Sequence, residues 1–277
     1  MEDLESKSGS YEDLGVEYMI SYKEIFCKVE STLKSQSKLS DEEFDIRFGE
    51  YKNYENRDLS DDEYFDKLTK VVFYSGFKAE TVTKKLDIIK YHFPDFETIS
   101  NYDEGRINEI FNDESMIKNK KKILACVNNS IVFKGIVEKY GSFRSYVDSF
   151  EIDNSFENLM LFKEEIQYRF AFLGEITSYH FMTDIGLPVL KPDRVIARIF
   201  KRLNLIEDEK QLLKTVIHGR KFSHENRFPI RYVDIIFVKY GQMGTDDYFG
   251  LEDGICLKNN PKCHICGIKE YCSYPIA

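Results

Sequence analysis

Apolar residues recur at helical spacing along most of the chain from about residue 16. In the run Tyr64-Phe65-Asp66-Lys67-Leu68-Thr69-Lys70-Val71-Val72, for example, Phe65, Leu68 and Val72 share one face. The same pattern predicts helices over 79–92, 104–111, 118–140, 143–149, 175–185, 193–203 and 207–220. Breaks at Ser75-Gly76, Phe93-Pro94, Tyr140-Gly141-Ser142 and Gly186-Leu187-Pro188 separate them. Strand signals are few, and the β-branched stretch 230–239 suits a buried helix as well as a strand. No repeat of solenoid period is present. The expected class is all-α.

Composition narrows the function classes. With 277 residues, 42% apolar and 31% charged, the chain can bury one large core or two small ones. Its longest apolar runs, Val71-Val72-Phe73 and Ile235-Ile236-Phe237-Val238, fall far short of the roughly 20 residues that span a bilayer. The start, Met1-Glu2-Asp3-Leu4-Glu5, lacks the basic and apolar regions of a secretion signal, so a reducing cytoplasm is expected. A net charge of −9 argues against nucleic acid until it is divided by region. Residues 1–63 hold 18 of the 48 acidic and 8 of the 39 basic side chains, leaving 30 and 31 in the rest. The body is therefore nearly neutral. It carries local basic groups at Lys118, Lys120, Lys121 and Lys122, at Lys191, Arg194, Arg198, Lys201 and Arg202, and at Lys214, Arg220, Lys221, Arg227 and Arg231. A single run of this kind is ordinarily a solvated helix face, so nucleic acid is permitted rather than indicated.

Four of the six cysteines, Cys256, Cys263, Cys266 and Cys272, form the pattern C-x6-C-x2-C-x5-C within 17 residues. In a reducing compartment such clustering points to a metal or cluster rather than disulfides. Zinc sites with four cysteines usually present two close pairs, and the outer spacings of 6 and 5 do not. The pattern, with Pro261 and Lys262 just before the second cysteine, resembles the [4Fe–4S] loop that ends the endonuclease III group of DNA glycosylases. That resemblance implies a [4Fe–4S] cluster on the four cysteines, with Lys258, Lys262 and Lys269 offered to DNA. Zinc remains the alternative, and His264 is expected at the surface.

Two upstream segments resemble the same helix-hairpin-helix superfamily. Phe172-Leu173-Gly174-Glu175-Ile176-Thr177-Ser178 is similar to its hairpin turn Leu-Pro-Gly-Val-Gly, with Ile176 replacing the second glycine. Asp193-Arg194-Val195-Ile196-Ala197-Arg198-Ile199-Phe200-Lys201-Arg202-Leu203 resembles the pattern D-x-x-V-x-R-V-x-x-R-L. The resemblance implies that Asp193 is catalytic and that Gly174, Ile176, Ser178, Lys191 and Arg198 meet DNA. Asp193, after Pro192 and ahead of an amphipathic helix, is equally suited to cap that helix, and the two roles are compatible.

The middle of the chain resembles DNA-3-methyladenine glycosylase I. The basic stretch leading into Val127-Asn128-Asn129-Ser130, the run Tyr140-Gly141-Ser142-Phe143-Arg144-Ser145-Tyr146-Val147-Asp148-Ser149-Phe150, and Phe181-Met182-Thr183-Asp184-Ile185-Gly186 each match a stretch of that family. The family's first-helix glutamate falls near Val71 and is absent, and the chain has no tryptophan. Phe73, Tyr74 and Phe77 are therefore the candidates for a base pocket, against an ordinary role in helix packing. Ser178 stands where bifunctional members carry a lysine, which implies hydrolysis without lyase chemistry.

Together these resemblances imply a two-lobed helix-hairpin-helix fold with a C-terminal iron–sulfur loop. Residues 1–15 are expected to be a disordered acidic tail. The expected organisation then runs through 16–63, a helical segment packing with the C-terminal lobe; 64–185, a lobe ending in the hairpin; 186–255, the lobe with Asp193; and 256–277, the cluster loop. The implied function is a monomeric, monofunctional glycosylase acting on duplex DNA that holds a damaged base, an alkylated purine such as 3-methyladenine. A mismatch or oxidised-base glycosylase, a DNA-binding protein that has lost its chemistry and a zinc-stabilised regulator are the rivals.

Overall fold

A computed structural model describes residues 21–56 and 58–274, so the expected 1–15 tail lies outside the described residues. The chain runs through α1 (Tyr22–Gln36), α2 (Asp41–Gly49), a 3-10 turn (Glu50–Asn56), α3 (Asp61–Tyr74), α4 (Ala79–Thr83), α5 (Leu86–His92), α6 (Phe96–Ile99) and α7 (Glu104–Asn112). It continues through α8 (Lys120–Tyr140), α9 (Phe143–Asp148), α10 (Phe156–Arg169), α11 (Glu175–Asp184), α12 (Arg194–Arg202), α13 (Leu212–Asn226) and α14 (Ile230–Gly241). An isolated bridge between Asp246 and Leu251 is the only β-pairing among the described residues, and the fold is all-α.

Side-chain caps start most of these helices. Ser40 and Ser60 each accept from the backbone three residues on, while Glu43 and Glu63 reach back to the cap's own N–H. Asn119, Ser142, Ser155 and Asp193 cap α8, α9, α10 and α12. The 21-residue α8 ends at Gly141, whose φ of +84° closes the helix in the left-handed region.

Two groups of helices result. In one, α3, α6, α7 and α9 surround α8, and α11 packs on α3 and α10. Its core is aromatic: Phe133 stacks on Phe143 at 4.6 Å, with Phe65, Phe96 and Tyr146 at their edges. In the other, α1 packs against α13 and α14, α12 lies on α14, and α2 and the 3-10 turn close over α14. Phe26, Phe200, Phe222 and Phe237 form its centre. Val71, where the sequence lacks the family's glutamate, is wholly enclosed by the first core.

Candidate active site

The hairpin is built from short-range bonds. Thr177 Oγ1 accepts the Gly174 N–H at 2.7 Å and donates to Phe172 O at 2.7 Å, which fixes the turn ahead of α11. A helix starting there presents the N–H groups of its first turn outward, the arrangement that receives a phosphate. Gly174 and Ile176 sit at this exposed turn. Ser178 does not. It is fully buried, and its hydroxyl donates to Gly174 O at 2.8 Å, which corrects the expectation of a DNA contact.

A cleft of about 620 Å³ opens beside the hairpin. One wall carries Tyr74, Phe77 and Lys78 from the end of α3 and the turn after it. Ile176 and His180 come from α11, and Lys191, Asp193 and Arg194 from the start of α12. Five candidate residues from separate parts of the sequence, Tyr74, Phe77, Ile176, Lys191 and Asp193, thus meet at one place. Phe73 is not among them: one position away on α3 it faces the core and packs on Phe93 at 5.6 Å, which corrects its assignment to the base pocket. Helix geometry accounts for this, because neighbouring residues point about 100° apart.

Asp193 both caps a helix and lines the cleft. Its Oδ1 accepts the N–H groups of Val195 and Ile196 at 2.8 and 3.0 Å, capping α12. Oδ2 takes no part in that cap, so the half-buried carboxylate keeps one oxygen for the cleft. The segment leading to it is anchored from outside the cleft by Asp234, which accepts the Lys191 N–H at 2.9 Å and pairs with Arg231. Burial drives the Asp234 carboxyl up from its ordinary value, and the Arg231 charge opposes this.

Lys122 is not part of the cleft lining. The sequence groups it with solvated lysines, yet it is buried, donating to Val72 O and to Ser75 O (2.6 Å) at the end of α3. It also lies under the rings of Phe77 and Phe172, at 5.3 and 4.7 Å. Burial pushes its amine down to about 8. Lys118 and Lys120 likewise bond within the fold, to Phe111 O, Asp113 O and Asn108.

The cysteine loop sits behind α12. Tyr240 O accepts the N–H groups of Ile255 and Cys256, and a Cβ on Gly254 would come within 2.7 to 2.8 Å of the carbonyl oxygens of Lys239, Tyr240 and Gln242. Only glycine permits this approach. Arg198, expected at DNA, is half-buried, and its guanidinium donates to Gly241 O (2.7 Å), Cys256 O (3.2 Å) and Arg194 O (3.3 Å). It ties α12 and α14 to the loop, which corrects that expectation.

Three of the four sulfurs have polar neighbours: Arg202 Nη1 donates to Cys256 Sγ at 3.1 Å, the Tyr240 hydroxyl lies 3.2 Å from Cys266 Sγ, and the Tyr274 N–H reaches Cys272 Sγ at 3.4 Å. Cys266 acts electrostatically on both Cys256 and Cys272, and Cys263 acts on Cys272. As the side chains are placed, no group of three or more His, Cys, Asp or Glu among the described residues could hold a metal ion. Four thiols of one loop with donors aimed at the sulfurs are nonetheless the donor set that a thiolate-bound cluster takes. Lys258 and Lys269 are exposed, Lys262 donates to Asp253 O at 3.3 Å, and His264 is at the surface.

The family model for methyladenine glycosylase matches residues 52–190, half of the chain. The chain belongs to the methyladenine glycosylase family. It is a DNA glycosylase, and its family acts on DNA that holds damaged bases. The match spans the hairpin and the Tyr74 side of the cleft, and ends just before Asp193.

Among solved structures, the chain is similar to 3-methyladenine DNA glycosylase I from Staphylococcus aureus (22% identity, TM-score 0.41, covering 48% of this chain and 83% of that one). It is also similar to the 8-oxoguanine DNA glycosylase of Thermotoga maritima (16%, TM-score 0.49, 78% and 95%). A third is the Methanocaldococcus jannaschii 8-oxoguanine glycosylase/lyase in complex with DNA containing 8-oxoguanine (20%, TM-score 0.49, 76% and 94%). No helix among the described residues of this glycosylase is long and apolar enough to cross a membrane.

Sequence reasoning missed His180, Asp184 and Asp234 around the cleft and Tyr240 beside the sulfurs, and it read Arg231 and Arg202 as members of basic groups. The His180–Asp184 and Arg231–Asp234 spacings of about one helical turn left a signal, and the His180 Nε2 to Asp184 Oδ2 distance is 3.2 Å.

Proposed function

We propose that this glycosylase is a monomer that hydrolyses the N-glycosidic bond of an alkylated purine of the 3-methyladenine type, flipped out of duplex DNA. The observation that carries this reading is the meeting of the aromatic pair Tyr74 and Phe77 with the Asp193 carboxylate in one cleft. Flipping costs a few kcal/mol, least for a damaged base. An alkylated purine is cationic, so aromatic faces attract it and it leaves with the bonding electrons without needing a strong acid. As the C1′–N bond breaks, positive charge grows on the sugar. The Asp193 oxygen not used in capping stabilises that charge, orients the water that bonds to C1′, and accepts the proton the water releases. The first turn of α11, with Lys78 and Arg194, holds the flanking phosphates.

The reaction stops at an abasic site. Ser178 occupies the position where a lyase needs its amine, and its hydroxyl is turned into the helix, so no Schiff base forms there. Cys256, Cys263, Cys266 and Cys272 hold a [4Fe–4S] cluster that ties the loop to α12 and α14. When bound, the cluster supplies structure rather than chemistry, and Arg202, Arg198 and Tyr240 orient its ligands and the chain around them.

A panel of duplexes, each with one defined lesion, tests the substrate. Mass spectrometry should find methylated purine released and the strand intact until alkali is added. Release of an oxidised or mispaired base instead overturns the alkylpurine reading.

A further inference from the structure

Lys122, to which the hydrolysis just proposed gives no part, joins two sides of the cleft from behind. Helix α3 ends at Tyr74, and its last carbonyl oxygens need donors from outside the helix. Val71 O and Tyr74 O accept the N–H groups of Ser75 and Phe77 at 3.0 and 3.3 Å. Val72 O and Ser75 O accept the buried amine of Lys122 instead. A cation placed there also faces the negative end of the helix dipole. The amine thus holds the turn through Gly76, whose φ is +75°, and with it the approach to Phe77.

The same amine reaches the hairpin. It lies 5.3 Å from the centre of the Phe77 ring and 4.7 Å from that of Phe172. Phe172 has a φ of +67°, a left-handed conformation that a bulky residue keeps only where its surroundings enforce it. Its carbonyl accepts from Thr177 Oγ1, the bond that fixes the turn ahead of α11. Seven residues along α8, Asn129 donates to Ala171 O at 3.0 Å and accepts the Ala171 N–H at 2.8 Å. Lys122 and Asn129 therefore share one face of α8, and that face carries the hairpin. Of the two, Lys122 also holds the end of α3.

We propose that Lys122 is a positioning residue for base release, its charged amine fixing the Phe77 ring against the hairpin so that the base pocket and the phosphate-binding turn keep one spacing. This rests on the reading of Tyr74 and Phe77 as the base pocket. Burial pushes the amine down to about 8, so it is charged at neutral pH and loses its proton just above. Cys126, one turn along α8, acts on it, but burial pushes that thiol up and keeps it neutral. The end of α3, the turn after it and the hairpin meet the amine with carbonyl oxygens and rings. A neutral amine still donates to a carbonyl but no longer attracts the rings. The spacing therefore loosens as the pH rises through 8.

Nuclear magnetic resonance of labelled lysine and phenylalanine reads this without turnover. The Lys122 Nζ signal should titrate near pH 8, and the ring signals of Phe77 and Phe172 and the Gly174 amide should move with the same midpoint. Binding of a duplex that holds an abasic-site analogue should weaken over the same range. An amine that titrates at the ordinary lysine value of about 10.4, or rings that do not follow it, overturns the assignment.

Single-turnover release of 3-methyladenine from duplex DNA reads the consequence. The wild-type rate should fall above pH 8. Lys122→Met, which keeps the length of the side chain without its charge, should be about tenfold slower at pH 7 and should converge with the wild type at roughly pH 9.5. Lys122→Arg, which stays charged, should hold its rate above pH 8. A methionine variant slower by one factor at every pH would show a loss of packing alone and overturn the proposal. If the methionine variant fails to fold, the wild-type titration decides. A shared midpoint and weakened binding without any release of 3-methyladenine leave the role of Lys122 standing and remove only the alkylpurine reading.

Discussion

Asp234 accepts the backbone N–H of Lys191 at 2.9 Å, two residues before Asp193. The residue proposed to carry the chemistry is thereby positioned by α14, a helix that does not line the cleft. Asp234→Ala should slow base release about tenfold although Asp193 is intact. It should also destabilise the fold by about 2 kcal/mol, because the half-buried Arg231 loses its charged hydrogen-bond partner. Asp234→Asn keeps an acceptor for the N–H and should lose less activity. Equal rates for the two variants would show that this bond does not position Asp193.

Acid should loosen the seam between α1 and α13. The Tyr22 hydroxyl meets His218 Nδ1 at 2.7 Å, and burial, helped by the charges of Lys221 and Lys214, pushes His218 down to about 4. An unfolded histidine titrates near 6.5, so between pH 6.5 and 4 the unfolded chain binds more protons than the folded one. Stability is therefore complete above pH 6.5 and falls as the pH is lowered towards 4, by about 2 to 3 kcal/mol for this group. Denaturant midpoints across this range should show a shallower acid loss in His218→Gln than in wild type.

What the sequence disclosed, and what it hid, follows the range of the forces. Caps act within three residues, so Asp193 at the start of α12 and the Tyr140-Gly141-Ser142 break were legible. The sequence does not separate strand from helix over 230–239, because α14 is buried almost all round, from Tyr232 and Val233 to Phe237 and Tyr240, which erases the amphipathic period. The predicted helix at 79–92 splits into α4 and α5 at Lys84-Lys85, and α10 was not singled out at all. The one predicted at 207–220 begins only at Leu212, because the Gln211 side chain draws the N–H groups of Glu207 and Asp208 into a turn. Motif and spacing singled out Asp193, Tyr74 and Phe77, which the structure brings into one cleft. Phe73, Ser178 and Arg198 were misplaced because a motif gives position along the chain, not the side of the helix that faces the core. Arg231 and Asp234 are one helical turn apart, but the approach of Arg231 to Asp184, at 3.9 Å, is tertiary and has no sequence pattern.

Replacing a cysteine tests the loop. Cys263→Ser should lower the iron content of anaerobically purified protein and weaken DNA binding with it, and the brown colour expected of the wild type should fade. Arg202→Ala should have a milder effect of the same kind, because Cys256 Sγ loses its donor at 3.1 Å. Full iron occupancy in Cys263→Ser would contradict the ligand assignment, and zinc in place of iron would contradict the cluster.

Borohydride distinguishes hydrolysis from lyase chemistry. With Ser178 buried and hydrogen-bonded to Gly174 O, no covalent protein–DNA adduct should be trapped. An adduct lost in Lys191→Ala would assign lyase activity to the one lysine that adjoins Asp193 in the cleft.

The central claim is that Asp193 drives base release from the cleft it shares with Tyr74 and Phe77. Single-turnover release of 3-methyladenine from duplex DNA by wild type and Asp193→Asn tests it most directly, because asparagine still caps α12 and leaves the fold intact. The expected result is release by the wild type and a loss of at least about a hundredfold in the variant, at equal DNA affinity and equal melting temperature. Equal rates of release would contradict the claim.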